Sequence, residues 1–226
     1  INTGNSLINR ISFNVGKNVD LGKQLDLDGN KKIIKTYKES VKKYISEDNK
    51  TEKRKIKRII EEFDKLYIHP KIQTSMFEDE DKKREQENEL YNKSLEWAVQ
   101  YPEILDEEGR FLGFDCIIGN PPYIQLQSMG KESDKLQEMN YKVYTKTGDI
   151  YCLFFELAKK LVKKNGIIAY ITSNKWIRAG YGKKLRDFLE KELNPELLID
   201  CASIKVFDEA TVDTNILFLS NKQSTN

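Results

Sequence analysis

The chain has 226 residues, 33% of them charged and 38% hydrophobic, and a formal net charge of +2. That supplies the core of one sizeable domain, or of a domain carrying a large insertion, while the overall charge balance names no partner. No apolar run approaches a membrane span, nothing resembles a secretory leader, and three widely separated cysteines, Cys116, Cys152 and Cys201, argue against a disulfide framework, so a cytoplasmic protein with buried, reduced thiols is expected.

The chain starts at Ile1 and not at Met, in what reads as the end of a strand, so a fragment of a longer protein is expected. Between Lys31 and Tyr67, Ile33, Ile34, Tyr37, Val41, Tyr44 and Ile45, then Ile56, Ile59, Ile60, Phe63, Leu66 and Tyr67, recur every three or four residues. This spacing predicts two amphipathic helices joined at Ser46–Asn49, and a third through Leu90, Leu95 and Val99 that ends before Pro102. Residues 20–100 thus read as a charged helical insertion, with Lys31–Arg58 basic and Glu78–Glu89 acidic. The lone histidine, His69, beside Pro70, reads as a loop residue, and no Cys/His spacing suggests a metal site.

From Phe114 onward, short apolar runs alternate with helical patterns, the signature of an α/β domain with a mostly parallel sheet. Strands are expected at Phe114–Ile118, Ile167–Thr172, Leu197–Cys201 and Thr214–Leu219, and helices at Asp149–Lys164 and Lys175–Glu192. Asp149 reads as the cap of the first helix, Gly166 as its stop, and Leu153, Phe154, Leu157 and Leu161 as its buried face. Pro195 is expected to break the chain before the third strand.

The first strand runs directly into Asn120-Pro-Pro-Tyr123. In open α/β sheets ligands sit beyond the carboxyl ends of strands, so a site is expected there; the bland alternative is a turn. Asn120 offers a carbonyl oxygen that can accept from an NH2 group, and Pro121 and Pro122 contribute carbonyls without N–H groups. Tyr123 supplies a ring for stacking. The set suits a flat group that bears an amine.

Asn120-Pro-Pro-Tyr123 resembles motif IV of the S-adenosylmethionine-dependent methyltransferases that modify N6 of adenine in DNA. Gly148–Glu156 and Asn165–Arg186 extend the likeness to the large Eco57I-like restriction-modification methylases, as do Gly4–Leu7 and Trp97–Glu103. The resemblance implies the C-terminal half of a Rossmann-like methyltransferase sheet: residues 1–19 as the end of the third strand and its loop, 20–100 as the insertion, and 101–226 as the core with the motif. It implies that Asn120, Pro121, Pro122 and Tyr123 are catalytic, that Asn5, Ser6 and Phe154 line the cofactor pocket, and that Phe207 packs on the far side of a flipped base. Phe154 also has the spacing of a plain core residue. The stretch Ala158–Lys191 is basic, and Lys175 and Arg178 within it are candidate contacts to double-stranded DNA.

The glycine-rich loop and the ribose-binding acid of such enzymes have no counterpart here, nor has a target-recognition domain or a nuclease motif. The resemblance therefore implies that a missing N-terminal half and recognition domain are partners of this chain, and that alone it binds S-adenosylmethionine weakly or not at all. Two other readings stay open: a protein-glutamine methyltransferase, whose substrate is another planar amide, and a non-catalytic DNA-binding module.

Overall fold

A computed structural model describes residues 6–7, 27–63, 95, 97, 101–106, 110–202, 204, 206–207 and 212–222. The chain divides into two compact units, Ile1–Leu112 and Gly113–Asn226. In the first, helix α1 (Leu27–Ser46) and helix α2 (Lys50–Phe63) flank the expected break. Asn49 explains why α2 starts where it does: its Oδ1 accepts from the backbone N–H groups of Thr51 at 2.9 Å and Glu52 at 3.3 Å. Ile34, Tyr37 and Ile56 are buried, and the buried Lys38 ammonium donates to the Leu105 carbonyl. By contrast Ile45 is 74% exposed, so not every position of the periodic pattern faces a core. Of the third expected helix only Leu95 and Trp97 are described; Trp97 is helical and its ring stacks on Tyr101 at 5.8 Å. The acidic stretch 78–89 and His69 lie outside the described residues.

The second unit is built on a four-stranded sheet of β1 (Phe114–Gly119), β2 (Val162–Ser173), β3 (Asn194–Asp200) and β4 (Thr214–Ser220), in the order β1-β2-β4-β3. β1 pairs with β2 in parallel, whereas β4 is antiparallel to both β2 and β3. Three strands therefore point one way and β4, wedged between two of them, reverses. The expected mostly parallel sheet is corrected to one parallel and two antiparallel pairings. Helix α3 (Lys131–Glu138) was not expected, because only Ser133 and Leu136 of it are buried and two positions make no period.

Helix α4 (Tyr151–Leu161) is shorter than the predicted Asp149–Lys164. β2 begins already at Val162, and its pairing with β1 jumps from Phe114↔Val162 to Cys116↔Ile167, leaving a bulge at 163–166. Asn165 there has φ +64°, and Asn221 holds the bulge by donating to the carbonyls of Val162 and Lys163. Gly166 is thus no helix stop: a Cβ on it would lie 2.6 Å from Val162 Cγ2 and 2.9 Å from the Asp115 carbonyl. The buried face of α4 is wider than expected, taking in Tyr151, Cys152, Phe155, Glu156 and Ala158, while Phe154 is only half-buried. Phe155 locks the helix to the sheet, edge-on to Tyr170 at 5.2 Å and tilted against Trp176 at 6.4 Å.

The predicted helix Lys175–Glu192 is also corrected. Short 3-10 turns at Asn174–Ile177 and Gly180–Gly182 precede helix α5 (Lys183–Glu192). The chain folds back so tightly that a Cβ on Gly182 would sit 2.0 Å from the Trp176 carbonyl oxygen, which accepts from Arg186 Nη1 at 2.5 Å. Pro195 does not precede β3 but lies within it, tolerated because β3 is an edge strand and its register slips between Pro195 and Leu197. At the other edge of the sheet, on β1, Ile118 is 80% exposed. Cys152 and Cys201 are buried as expected, whereas Cys116 on β1 is exposed.

Candidate active site

The register fixes where chemistry can occur. Gly119 lies beside Tyr170, Ser173 beside Thr214, and Asp200 beside Asn215, so the carboxyl ends of β1, β2 and β3 and the start of β4 share one edge of the sheet. Asn120 leaves β1 at this edge. Gly119 before it cannot be larger without pressure, since a Cβ would meet Tyr170 Cε1 at 3.0 Å. Asn120 and Pro122 are exposed, Pro121 is buried and Tyr123 is half-buried. The turn is therefore neither a core element nor a loose loop: its proline anchors it and its amide faces out.

The Tyr123 hydroxyl donates to Asn120 Oδ1 at 2.9 Å, with the Ile171 carbonyl of β2 a longer alternative at 3.4 Å. This orients the Asn120 amide and leaves one lone pair of Oδ1 for a second donor. Burial raises the Tyr123 phenol above its ordinary pKa, so it stays a neutral donor at physiological pH. The ring meets Tyr151 edge-on, with centroids 6.0 Å apart. Behind it the Tyr151 and Tyr181 hydroxyls are 2.8 Å apart, and Tyr181 donates to Asp149 Oδ2 at 2.9 Å. Burial pushes the Tyr151 and Tyr181 phenols up as well, and takes the Cys152 thiol to about 12 with the Asp149 charge adding to it. After the motif the backbone is stitched down: Leu126 N–H donates to the Gly148 carbonyl at 2.9 Å, and Ile150 N–H to the Ile124 carbonyl at 2.8 Å.

Lys175 and Arg178, both exposed, line a cavity of about 400 Å³ with Asn174, Tyr181, Asp200 and Asp213. Tyr181 belongs to both this cavity and the tyrosine cluster behind Tyr123, so these parts of the expected site do come together. Trp176 Nε1, Thr214 Oγ1 and Asn215 Nδ2, on the segments that form this edge, are buried with no hydrogen-bond partner among the described residues. Phe207 is half-buried in the β3–β4 connection, which springs from the same edge. Phe154 is half-buried on α4. Ser6 belongs to the first unit, where its carbonyl accepts from Trp97 Nε1 at 3.2 Å, and Asn5 lies outside the described residues. Asp149, Tyr151 and Tyr181 were not expected at the site. Asp149 looked like a helix cap, but no side chain caps α4 and its carboxylate is turned to Tyr181. Among the described residues no cluster of His, Cys, Asp and Glu could hold a metal ion, and no helix is long and apolar enough to cross a membrane.

Residues 6–207 match the sequence model of the family described as Eco57I restriction-modification methylase. The chain belongs to that family. The bounds of the match include the helical segment, where the motifs gave no resemblance, and end at Phe207. Among curated relatives, the chain is 35% identical over 116 residues to the type II restriction enzyme and methyltransferase RM.Eco57I of Escherichia coli, covering 50% of this chain and 12% of that one. It is 26% identical over 130 residues to the type II methyltransferase M.BstVI of Geobacillus stearothermophilus, covering 56% and 23%. The chain thus spans less than a quarter of the length of these relatives. Solved structures similar to it include the EcoKI M protein, with a TM-score of 0.37 at 16% identity over 50% of this chain and 22% of the other. The type IIG restriction endonuclease BpuSI gives 0.36 at 18% identity over 50% and 14%.

Proposed function

We propose that this chain carries the base-holding part of a DNA methyltransferase that moves a methyl group from S-adenosylmethionine to N6 of an adenine swung out of the duplex. The observation that supports this most directly is Asn120 Oδ1, fixed by Tyr123 at 2.9 Å at the carboxyl end of β1 with its amide in solvent. An adenine amine is a weak nucleophile because its lone pair is drawn into the ring. Asn120 Oδ1 accepts one N6 hydrogen and the Pro121 carbonyl the other, which favours a tetrahedral nitrogen and an available lone pair. The surplus proton leaves by the same acceptors to water, which reaches the exposed Asn120. Tyr123 offers its face to the base and Phe207 an aromatic on the other side, together offsetting an unstacking cost of about a few kcal/mol. Lys175 and Arg178 supply positive charge at the same edge for phosphates.

S-adenosylmethionine, when bound, supplies a methyl group activated on a positively charged sulfur. Phe154, half-buried on α4, is the candidate of the second unit for the cofactor's adenine face. The relatives' names, a methyltransferase and a restriction enzyme with methyltransferase, favour DNA over a protein glutamine as substrate.

The protein in its natural full-length form, incubated with duplex DNA and labelled cofactor and followed by nucleoside analysis, tests this. Label is expected in N6-methyladenine, with the Asn120→Ala variant slower by at least about 100-fold, the scale on which preorganised acceptors act. Label in a cytosine or in protein glutamine, or full activity in the variant, would overturn the proposal.

A further inference from the structure

Tyr123 must hold its ring still to stack on a base, yet it is half-buried and its own hydroxyl is committed to Asn120. What holds the ring is Tyr151, which is fully buried and edge-on to it. The hydroxyl of Tyr151 is in turn held by Tyr181 at 2.8 Å, which limits how the ring can tilt. The tether has a fixed direction. Tyr181 has one hydroxyl proton and gives it to the acceptor-only Asp149 carboxylate, so the 2.8 Å contact is made by Tyr151 donating to Tyr181. Asp149 closes the loop, because it sits in an isolated antiparallel bridge with Gln125, two residues past Tyr123. The backbone bonds of Leu126 and Ile150 flank that bridge. A Cβ on Gly148 would meet Tyr181 Cδ2 at 3.3 Å and the Thr145 carbonyl at 3.1 Å, so the ring of Tyr181 lies close against the bridge.

We propose that Tyr151, Tyr181 and Asp149 form a hydrogen-bonded positioning relay that sets the ring of Tyr123 and with it the amide of Asn120. None of the three touches the base. Because Tyr181 also lines the cavity with Lys175 and Arg178, the relay links the base wall to the basic edge. The inference rests on the proposed base-holding role of Asn120 and Tyr123, although the relay itself can be tested without it.

Four variants of the full-length protein, Tyr181→Phe, Asp149→Ala, Asp149→Asn and the double Tyr181→Phe/Asp149→Ala, carry the test. Two readouts are used: methylation kinetics, and amide exchange at Leu126 and Ile150 with Ile168 and Leu219 of the sheet as fold controls. Tyr181→Phe and Asp149→Ala are each expected to lower kcat about tenfold, with KM for DNA little changed, and to speed exchange at Leu126 and Ile150 about tenfold with the controls unmoved. Asp149→Asn keeps an acceptor for Tyr181 and should restore both readouts to within about threefold of the wild type. The double variant should be no worse than either single one, since one chain is cut once or twice. Additive losses, a loss in KM alone, or unchanged exchange would overturn the relay. A wild type that methylates no adenine would instead overturn the proposed function, while exchange would still decide the relay.

Discussion

The two units use apolar residues differently. In α1 and α2 the pattern is clear, but Ile34, Tyr37 and Ile56 are buried while Ile45 and Ile59 are 74% and 47% exposed. In α4 eight of the eleven residues from Tyr151 to Leu161 are buried, polar Glu156 included. A periodic stripe says which side of a helix is apolar; how much of it leaves water depends on what is laid against it. The sheet unit has a broad strand surface for its helices, and there the aromatic cluster and the candidate site are built. The first unit's described helices pair mainly with each other.

Tryptophan reports on each unit separately, since the two in the chain are Trp97 in the first and Trp176 in the second. The largest expected contrast is with pH. Tyr141, Tyr151, Tyr170 and Tyr181 all lie in the second unit with phenols raised chiefly by burial. A raised folded pKa leaves stability intact below the ordinary value of about 10 and withdraws it as the pH climbs toward the folded value, because only the unfolded chain can ionise there. Trp176 fluorescence is therefore expected to report unfolding of the second unit above about pH 10, with tyrosinate absorbance rising in the same transition. Tyrosinate that forms fully with Trp176 still buried would erase the contrast.

A cavity gives the next effect. Phe155→Ala removes the ring between Tyr170 and Trp176 and is expected to cost about 3–5 kcal/mol, read as a denaturant midpoint from Trp176. A loss under about 1 kcal/mol would mean the sheet unit is no better packed than the helix pair. The smallest effect lies in the first unit: Asn49→Ala removes the cap of α2 and should cost about 1 kcal/mol, seen as faster amide exchange in residues 51–56 and not in the sheet. Exchange that quickened in β2 as well would show that the two units unfold together.

Legibility followed the range of the interaction. The strands of the second unit were readable because each is a short apolar run, and their observed bounds differ from expectation mainly at β2, which starts at Val162 and carries the bulge Lys163–Gly166. That bulge is held by Asn221, far along the chain, so no local pattern could show it. The break at Ala179–Gly182 was hidden for a like reason: Lys183 to Glu192 continue a helical period, and only the approach of Gly182 to the Trp176 carbonyl makes glycine necessary. Asp149 beside a helix start has the composition of a cap, and its real partner, Tyr181, is another element's residue.

What the sequence determined by itself was the family, the α/β class and the acceptor-rich turn Asn120-Pro-Pro-Tyr123, because these rest on residue types in unbroken succession. Tertiary structure alone decided the reversed β4 between β2 and β3, the cavity at Lys175 and Arg178, and the tyrosines that brace Tyr123. Each of these depends on hydrogen bonds and ring contacts between segments tens of residues apart, whose partners are chosen by packing and leave no mark on local order.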